Sequence, residues 1–110
     1  MPDEIVVFLT NMRVLIRSNH CSFSNRIRNG KSYLEILFDD FGITVKEAWE
    51  QIKLLRKQDI CIDYRPSYDN NGKAYVFKRI VNGVLAYIKI KIEVAHTGEE
   101  VVCISFHKDE

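Results

Sequence analysis

The chain has 110 residues, of which 46% are hydrophobic and 28% are charged, and its formal net charge is +1. This composition is typical of one soluble globular domain with a modest core. It excludes a protein that is basic over its whole surface, and no apolar run approaches the ~20 residues of a membrane-spanning helix. The cysteines are odd in number and lack metal-type spacing, so we expect reduced thiols in a cytoplasmic protein.

The N-terminal part of the sequence predicts one amphipathic helix followed by an extended segment. Residues 4–18 carry apolar side chains at helical spacing, and Asp3 precedes them as a possible N-cap. Residues 19–24 are expected to form a brief strand or an extended link. The stretch that follows carries arginines and no acidic residue before Glu35.

Two capping-box patterns then predict two further helices. Residues 32–35 (SYLE) match the pattern in which a hydroxyl and a glutamate satisfy free backbone N–H groups, and they open a helix over 33–41. Gly42 is a plausible residue to end it. Residues 44–47 (TVKE) repeat the pattern and open a helix that runs to about residue 57.

The middle of the chain is expected to be mostly irregular. Residues 59–64 alternate apolar and polar side chains over a short length and could pair at a sheet edge. Arg65-Pro66 breaks this alternation. Residues 67–73 include Asp69-Asn70-Asn71-Gly72 and are predicted to be a loop.

The C-terminal third predicts three successive strands, at 74–81, 84–92 and 101–106. Asn82-Gly83 joins the first two, and Asn-Gly between alternating apolar runs is the strongest short-range hairpin signal. A two-residue turn places Val81 opposite Val84, and it therefore places Lys78 opposite Tyr87 and Val76 opposite Lys89. A polar loop at 95–100 separates the third strand from the second.

Strict alternation assigns the side chains of these strands to two faces. In the hairpin, the residues that face the core are Tyr75, Phe77, Val84, Ala86, Ile88, Ile90 and Ile92. In the third strand, Val102, Ile104 and Phe106 are expected to face the core. Cys103, Ser105 and His107 are then expected on the face of Tyr87 and Lys89.

These elements predict an α+β fold in which N-terminal helices pack on one face of a mainly antiparallel sheet. Residues 1–110 are expected to form a single domain. No nucleotide-binding loop or zinc motif is present, so no cofactor and no metal site are predicted.

The sheet face opposite the core carries the candidate chemistry. Lys78, Tyr87, Lys89 and His107 share it, and no acidic residue occurs from 73 to 92. Cleavage of RNA needs a base for the 2′-OH proton, cations for the phosphorane and an acid for the 5′-oxygen. These side chains supply each type, although Lys and Tyr also commonly cover a solvated sheet face. The candidate RNA contacts around them are Lys73, Arg79, Lys91 and Ser105, with Arg79 expected on the core side near the sheet edge.

Over roughly residues 30–107 the chain resembles the MqsR-type toxins of bacterial type II toxin–antitoxin modules. The resemblance lies in FGIT at 41–44, DIC at 59–61, YVFK at 75–78, YIKIKI at 87–92 and CISFH at 103–107. It implies a RelE-like fold and metal-independent, sequence-selective mRNA cleavage, on or off the ribosome. It also implies a 2′,3′-cyclic phosphate product, a 5′-hydroxyl product and inhibition by a cognate antitoxin.

The resemblance matches site residues of the family to positions of this chain one at a time. Tyr87 matches the sheet tyrosine of the family, Lys78 falls where some members have glutamine, and His107 falls where some have lysine. The roles of base and acid therefore stay open. Two other functions also remain: a non-catalytic RNA-binding or translation-regulating module, and an interaction domain whose basic face docks an acidic partner.

Overall fold

The computed structural model describes residues 3–24, 27–61, 67–69, 72–96 and 98–109. Within them, three α-helices and a short 3₁₀-helix accompany a mixed sheet whose strand order is β1-β5-β4-β3-β2. Strand β1 is parallel to β5, and the other neighbours are antiparallel. The elements are α1 (Glu4–Arg17), β1 (Cys21–Phe23), α2 (Tyr33–Phe41), α3 (Val45–Lys53), the 3₁₀-helix (Lys57–Asp59), β2 (Ser67–Asp69), β3 (Gly72–Val81), β4 (Val84–Ala95) and β5 (Gly98–Lys108).

This architecture confirms the predicted α+β class and the mainly antiparallel sheet. The brief strand predicted within 19–24 is also present, as β1. In the part of the chain that the structure describes, no helix combines the length and the apolar character of a membrane span.

The α-helices begin where their capping residues predict. The Asp3 carboxylate accepts hydrogen bonds from the first turn of α1, and the Ser32 hydroxyl accepts one from the backbone of α2. Thr44 and Glu47 form the complete reciprocal capping box of α3. Gly42 ends α2 with φ of +68°, a left-handed conformation that favours glycine.

Helix α3 ends at Lys53, four residues before the predicted end at 57. The cause is a contact from α1: Arg13 Nε donates to the Lys53 carbonyl at 2.9 Å, and Arg13 Nη2 donates to the Leu55 carbonyl. These bonds satisfy carbonyls at the end of α3 without another helical turn. A contact between distant residues therefore sets this boundary.

The middle segment is more ordered than predicted. The loop expected at 67–73 is wrong, because β2 pairs with the start of β3 through Ser67 opposite Ala74 and Asp69 opposite Gly72. Polar, turn-forming residues mark the connection between paired strands but do not exclude pairing of its flanks. The predicted edge pairing of 59–64 is present at its start, where Ile60 bridges to Phe77. Residues 62–66, which include Arg65-Pro66, and residues 70–71 lie outside the described part.

Strand β5 contains a β-bulge that strict alternation did not predict. Lys89 lies opposite Ser105, whereas the next residue, Ile90, lies opposite Cys103, so Ile104 is an extra residue in β5. The prediction that Cys103 lies on the Tyr87 face is therefore wrong, and so is the predicted inward orientation of Val102. Cys103 is buried in the core at 1% exposure.

Beyond the bulge, the predicted faces hold. Phe106 lies opposite Ile88 and belongs to the core, whereas His107 lies opposite Tyr87. The β3–β4 hairpin also has the predicted register throughout. Strand β4 extends to Ala95 and β5 begins at Gly98, so the predicted loop at 95–100 is much shorter.

The core lies between the helices and one face of the sheet. Phe8 of α1 packs on Tyr75, with 4.7 Å between ring centroids, and Phe41 of α2 meets Phe106 edge-on at 5.3 Å. Trp49 of α3 completes this layer. The opposite sheet face is partly open, as shown by Ile80 at 59% exposure.

The burial of Cys103 predicts that its thiol is unreactive in the native protein. Its burial raises the pKa of the thiol far above the ordinary value, and only the thiolate is reactive. In a variant with Cys21→Ser and Cys61→Ser, we expect no alkylation by iodoacetamide in the native protein and full alkylation in denaturant, followed by mass spectrometry. Rapid alkylation of the native protein would contradict the buried position.

Candidate functional site

The centre of the candidate site is a stacked pair of rings on the open face of the sheet. Tyr87 of β4 lies directly opposite His107 of β5, with ring centroids 4.9 Å apart and planes at 14°. His107 Nδ1 lies 2.8 Å from the Lys108 carbonyl oxygen. Because a carbonyl oxygen only accepts, Nδ1 carries a proton, and Nε2 is the ring nitrogen that can exchange one.

Two rows of polar side chains cross the central strands at this pair. Lys78 of β3 lies opposite Tyr87, so Lys78, Tyr87 and His107 form one row. Lys89 and Ser105 form the next row, two residues along β4. Neighbouring strands are about 4.8 Å apart, so all five side chains lie close together. We call these five residues the site face.

Acidic side chains that the sequence pattern did not place reach the same side of the sheet. Asp109 Oδ2 lies 3.1 Å from Lys78 Nζ, and the Asp109 amide donates to the Leu85 carbonyl at 2.8 Å. Further along, Glu93 Oε1 lies 2.8 Å from Lys91 Nζ. The acid-free stretch in the sequence is therefore not an acid-free surface.

Three of the predicted contact residues lie outside the site face. Lys91 is on the same side of the sheet but only 9% exposed, paired with Glu93. Arg79 lies on the helix side, as expected, where its Nε donates to Gln51 Oε1 at 3.1 Å. Lys73 also lies on the helix side, where it pairs with Glu4.

A second tyrosine of the sheet shows how the two faces differ. Tyr75 lies on the helix side and donates to Glu4 Oε1 at 2.6 Å. Burial, and then this hydrogen bond, raise the pKa of Tyr75 to about 12. Hydrogen bonds from Lys73 and Tyr75 lower the pKa of Glu4. The Tyr75 phenol therefore stays protonated and contributes to packing. Tyr87 differs from Tyr75 in its position on the sheet and not in residue type.

A cavity of about 230 Å³ adjoins the site face at the edge of β5. Ser105 and His107 line it on one side, and Arg28 and Tyr33 are among the residues that line it on the other. Sequence reasoning missed the cavity and Asp109. Arg28 directly precedes Asn29-Gly30, a dipeptide typical of turns, but no sequence pattern gives the distance of Arg28 from β5.

Within 3–24, 27–61, 67–69, 72–96 and 98–109, no group of three or more His, Cys, Asp or Glu side chains is placed to hold a metal ion. Comparisons of the chain with models of protein families, with characterised proteins and with solved structures found no match. The resemblance to MqsR-type toxins therefore depends on the sequence motifs alone.

The Lys78–Asp109 pair generates a prediction about anion binding. We expect Asp109→Asn to bind inorganic pyrophosphate roughly threefold to tenfold more tightly, because it removes the negative charge beside Lys78 of the site face. Isothermal titration calorimetry measures the affinity. Glu50→Gln is the matched control, since it changes the same charge on α3, where the side chain pairs with Lys53.

Weaker binding by Asp109→Asn would contradict this expectation. It would show that the carboxylate holds Lys78 in the orientation that an anion needs.

Proposed function

We propose that this protein is a metal-independent endoribonuclease, the toxin of a type II toxin–antitoxin module, which cleaves mRNA and so inhibits translation and growth. The observation that carries the proposal is the Tyr87–His107 stack on a partly exposed sheet face, with Lys78 and Lys89 as neighbours of Tyr87. A RelE-like fold and membership of the MqsR family are parts of the same proposal, supported by the motifs in the sequence.

In the proposed reaction, a base removes the proton of a ribose 2′-OH and the 2′-oxygen attacks the adjacent phosphorus. The bond from phosphorus to the 5′-oxygen breaks, and an acid protonates that oxygen. The products are a 2′,3′-cyclic phosphate and a 5′-hydroxyl. His107 Nε2 performs one of the two proton transfers, and the Tyr87 hydroxyl performs the other or binds the phosphate.

The other members of the site face support the transition state. Lys78 and Lys89 stabilise the negative charge that grows on the phosphorane oxygens. Ser105 can donate a hydrogen bond to a phosphate oxygen, and it lies opposite Lys89. Asp109 lies 3.1 Å from Lys78 and competes with the RNA phosphate for this cation.

The proposal also assigns partners. The substrate is mRNA, cleaved on the ribosome or free of it, and a cognate antitoxin protein inhibits the cleavage. No cofactor takes part. The protein acts in the cytoplasm, where both its substrate and reduced thiols are found.

A second candidate function is an RNA-binding or protein-interaction module without catalysis. One observation favours it: Ile80 and Leu85 lie opposite each other beside Lys78 and Tyr87, at 59% and 40% exposure. Exposed apolar side chains next to cations are typical of a surface that binds a partner.

Cleavage of RNA in the presence of EDTA tests the proposal. We expect the wild type to cut single-stranded RNA and His107→Ala to cut about 100-fold to 10,000-fold more slowly, because it lacks one proton-transfer group. The matched control is His96→Ala, an exposed histidine in the turn after β4, about 30 Å along that strand from Tyr87. It should cut at the wild-type rate, and Tyr87→Phe tests the hydroxyl without removing the ring.

Other outcomes would reject catalysis. RNA that is bound but never cut supports the non-catalytic module. Salt-sensitive binding to an acidic peptide, without binding to RNA, supports the interaction domain. Equal cutting by His107→Ala and the wild type would remove His107 from the site.

A further inference from the structure

The outer edge of β5 is covered only in part by β1. The two strands pair from Cys21 opposite Val101 to Phe23 opposite Cys103, and the Ser24 amide then donates to the Cys103 carbonyl at 2.9 Å. Beyond this point, no described residue pairs with the outer edge of β5. The cavity of about 230 Å³ lies here, between β5 and α2.

Part of the cavity lining is apolar and aromatic. Tyr33 stacks on Phe23 with ring centroids 4.8 Å apart and planes at 5°, so the plane of the Tyr33 ring is fixed. Buried Ile36 and Phe106 line the cavity from α2 and from β5, and Ile27, at 67% exposure, lies at its margin.

Polar groups also line the cavity. Arg28 is exposed, and its backbone is held by a tight turn in which the Arg28 amide donates to the Lys31 carbonyl at 3.0 Å and the reverse bond is 2.9 Å. Asn29 and Gly30 both have positive φ, at 52° and 76°. Lys31 Nζ lies 2.7 Å from Asp39 Oδ2 of α2, so the turn is tied to the helix that forms a wall.

The hydrogen bond to Asp39 raises the pKa of Lys31, which favours the charged form of this lysine. Arg28 lines the cavity, and its backbone belongs to this hydrogen-bonded turn. Ser24 and Ser105 also line the cavity, and a serine hydroxyl can both donate and accept a hydrogen bond.

The cavity is continuous with the site face because His107 belongs to both. The residue whose ring stacks on Tyr87 thus also lines the cavity. A phosphate bound by Lys78 and Lys89 lies within two strand spacings of β5, or about 10 Å. The volume is below the ~300–1,000 Å³ of pockets that hold a drug-sized ligand, which suits a single ring system.

From this arrangement we infer that the cavity at the β5 edge binds one nucleobase of the RNA, next to the cleaved phosphate, and thereby selects the sequence that is cut. The inference rests on the proposed function. A base has apolar faces and hydrogen-bonding edges, and single-stranded RNA is recognised by stacking on aromatic side chains with hydrogen bonds to those edges. The cavity supplies Tyr33 for the first contact and Arg28, Ser24 and Ser105 for the second.

Amide chemical-shift mapping of the full chain tests the inference without requiring cleavage. The probes are the four nucleoside 5′-monophosphates, and ribose 5-phosphate serves as the ligand that lacks a base. We expect at least one nucleotide to shift the amides of Ser24, Arg28 and residues 104–106, and ribose 5-phosphate to leave them unchanged. Arg28→Ala should weaken the binding of that nucleotide about tenfold.

Arg17→Ala is the matched control, since Arg17 is exposed in the last turn of α1 and does not line the cavity. It should bind like the wild type. Ile27→Ala is a second cavity variant. Because this position is exposed, we expect the substitution to leave folding unchanged and to weaken nucleotide binding. Equal shifts with ribose 5-phosphate, no shifts with any nucleotide, or unchanged affinity in both cavity variants would overturn the inference.

A cleavage assay separates this inference from the proposed function. If both hold, Arg28→Ala cuts RNA at additional positions, whereas His107→Ala cuts at none. Base-dependent binding without any cleavage would reject the endoribonuclease and keep the base site. Cleavage positions that are identical in Arg28→Ala and the wild type would reject the base site and keep the endoribonuclease.

Discussion

The β-bulge at Ile104 is the constraint on which the rest of the site depends. Cys103 and Phe106 both face the helices, although strict alternation puts residues three apart on opposite faces. The extra residue reconciles these two positions and, in the same step, turns His107 towards Tyr87. Without the bulge, a strand anchored by Cys103 in the core would place His107 among the helices. Bulges often reorient a side chain next to a functional site.

The two faces of the sheet divide similar residues between different tasks. On the helix side, Lys73 and Tyr75 bind Glu4 and attach α1 to the sheet. On the other side, Lys78 and Tyr87 form a row with His107. This second side is not uniformly positive, because Asp109 and Glu93 each pair with a lysine. Cations alone therefore do not define the proposed site, and its centre is the stacked pair.

Features governed by local chemistry could be predicted from the sequence. The Asn82-Gly83 turn determines the β3–β4 register, and capping residues determine where the helices begin. Features governed by distant contacts could not. Arg13 of α1 bonds to the end of α3, which stops early. The bulge allows both Cys103 and Phe106 to face the core while β5 stays paired with β4. Ser105 and His107 were nevertheless assigned to the correct face, because the bulge cancels the error made at Cys103. Asp109 and the cavity at the β5 edge had no local pattern that could reveal them.

The most direct test of the account is the set of nuclear Overhauser contacts of the His107 ring in solution. The account predicts contacts between the His107 and Tyr87 rings, together with contacts from the Cys103 side chain to the helix side of the sheet. Contacts between the His107 ring and core residues such as Leu37 or Phe41, with Phe106 beside Tyr87, would contradict it.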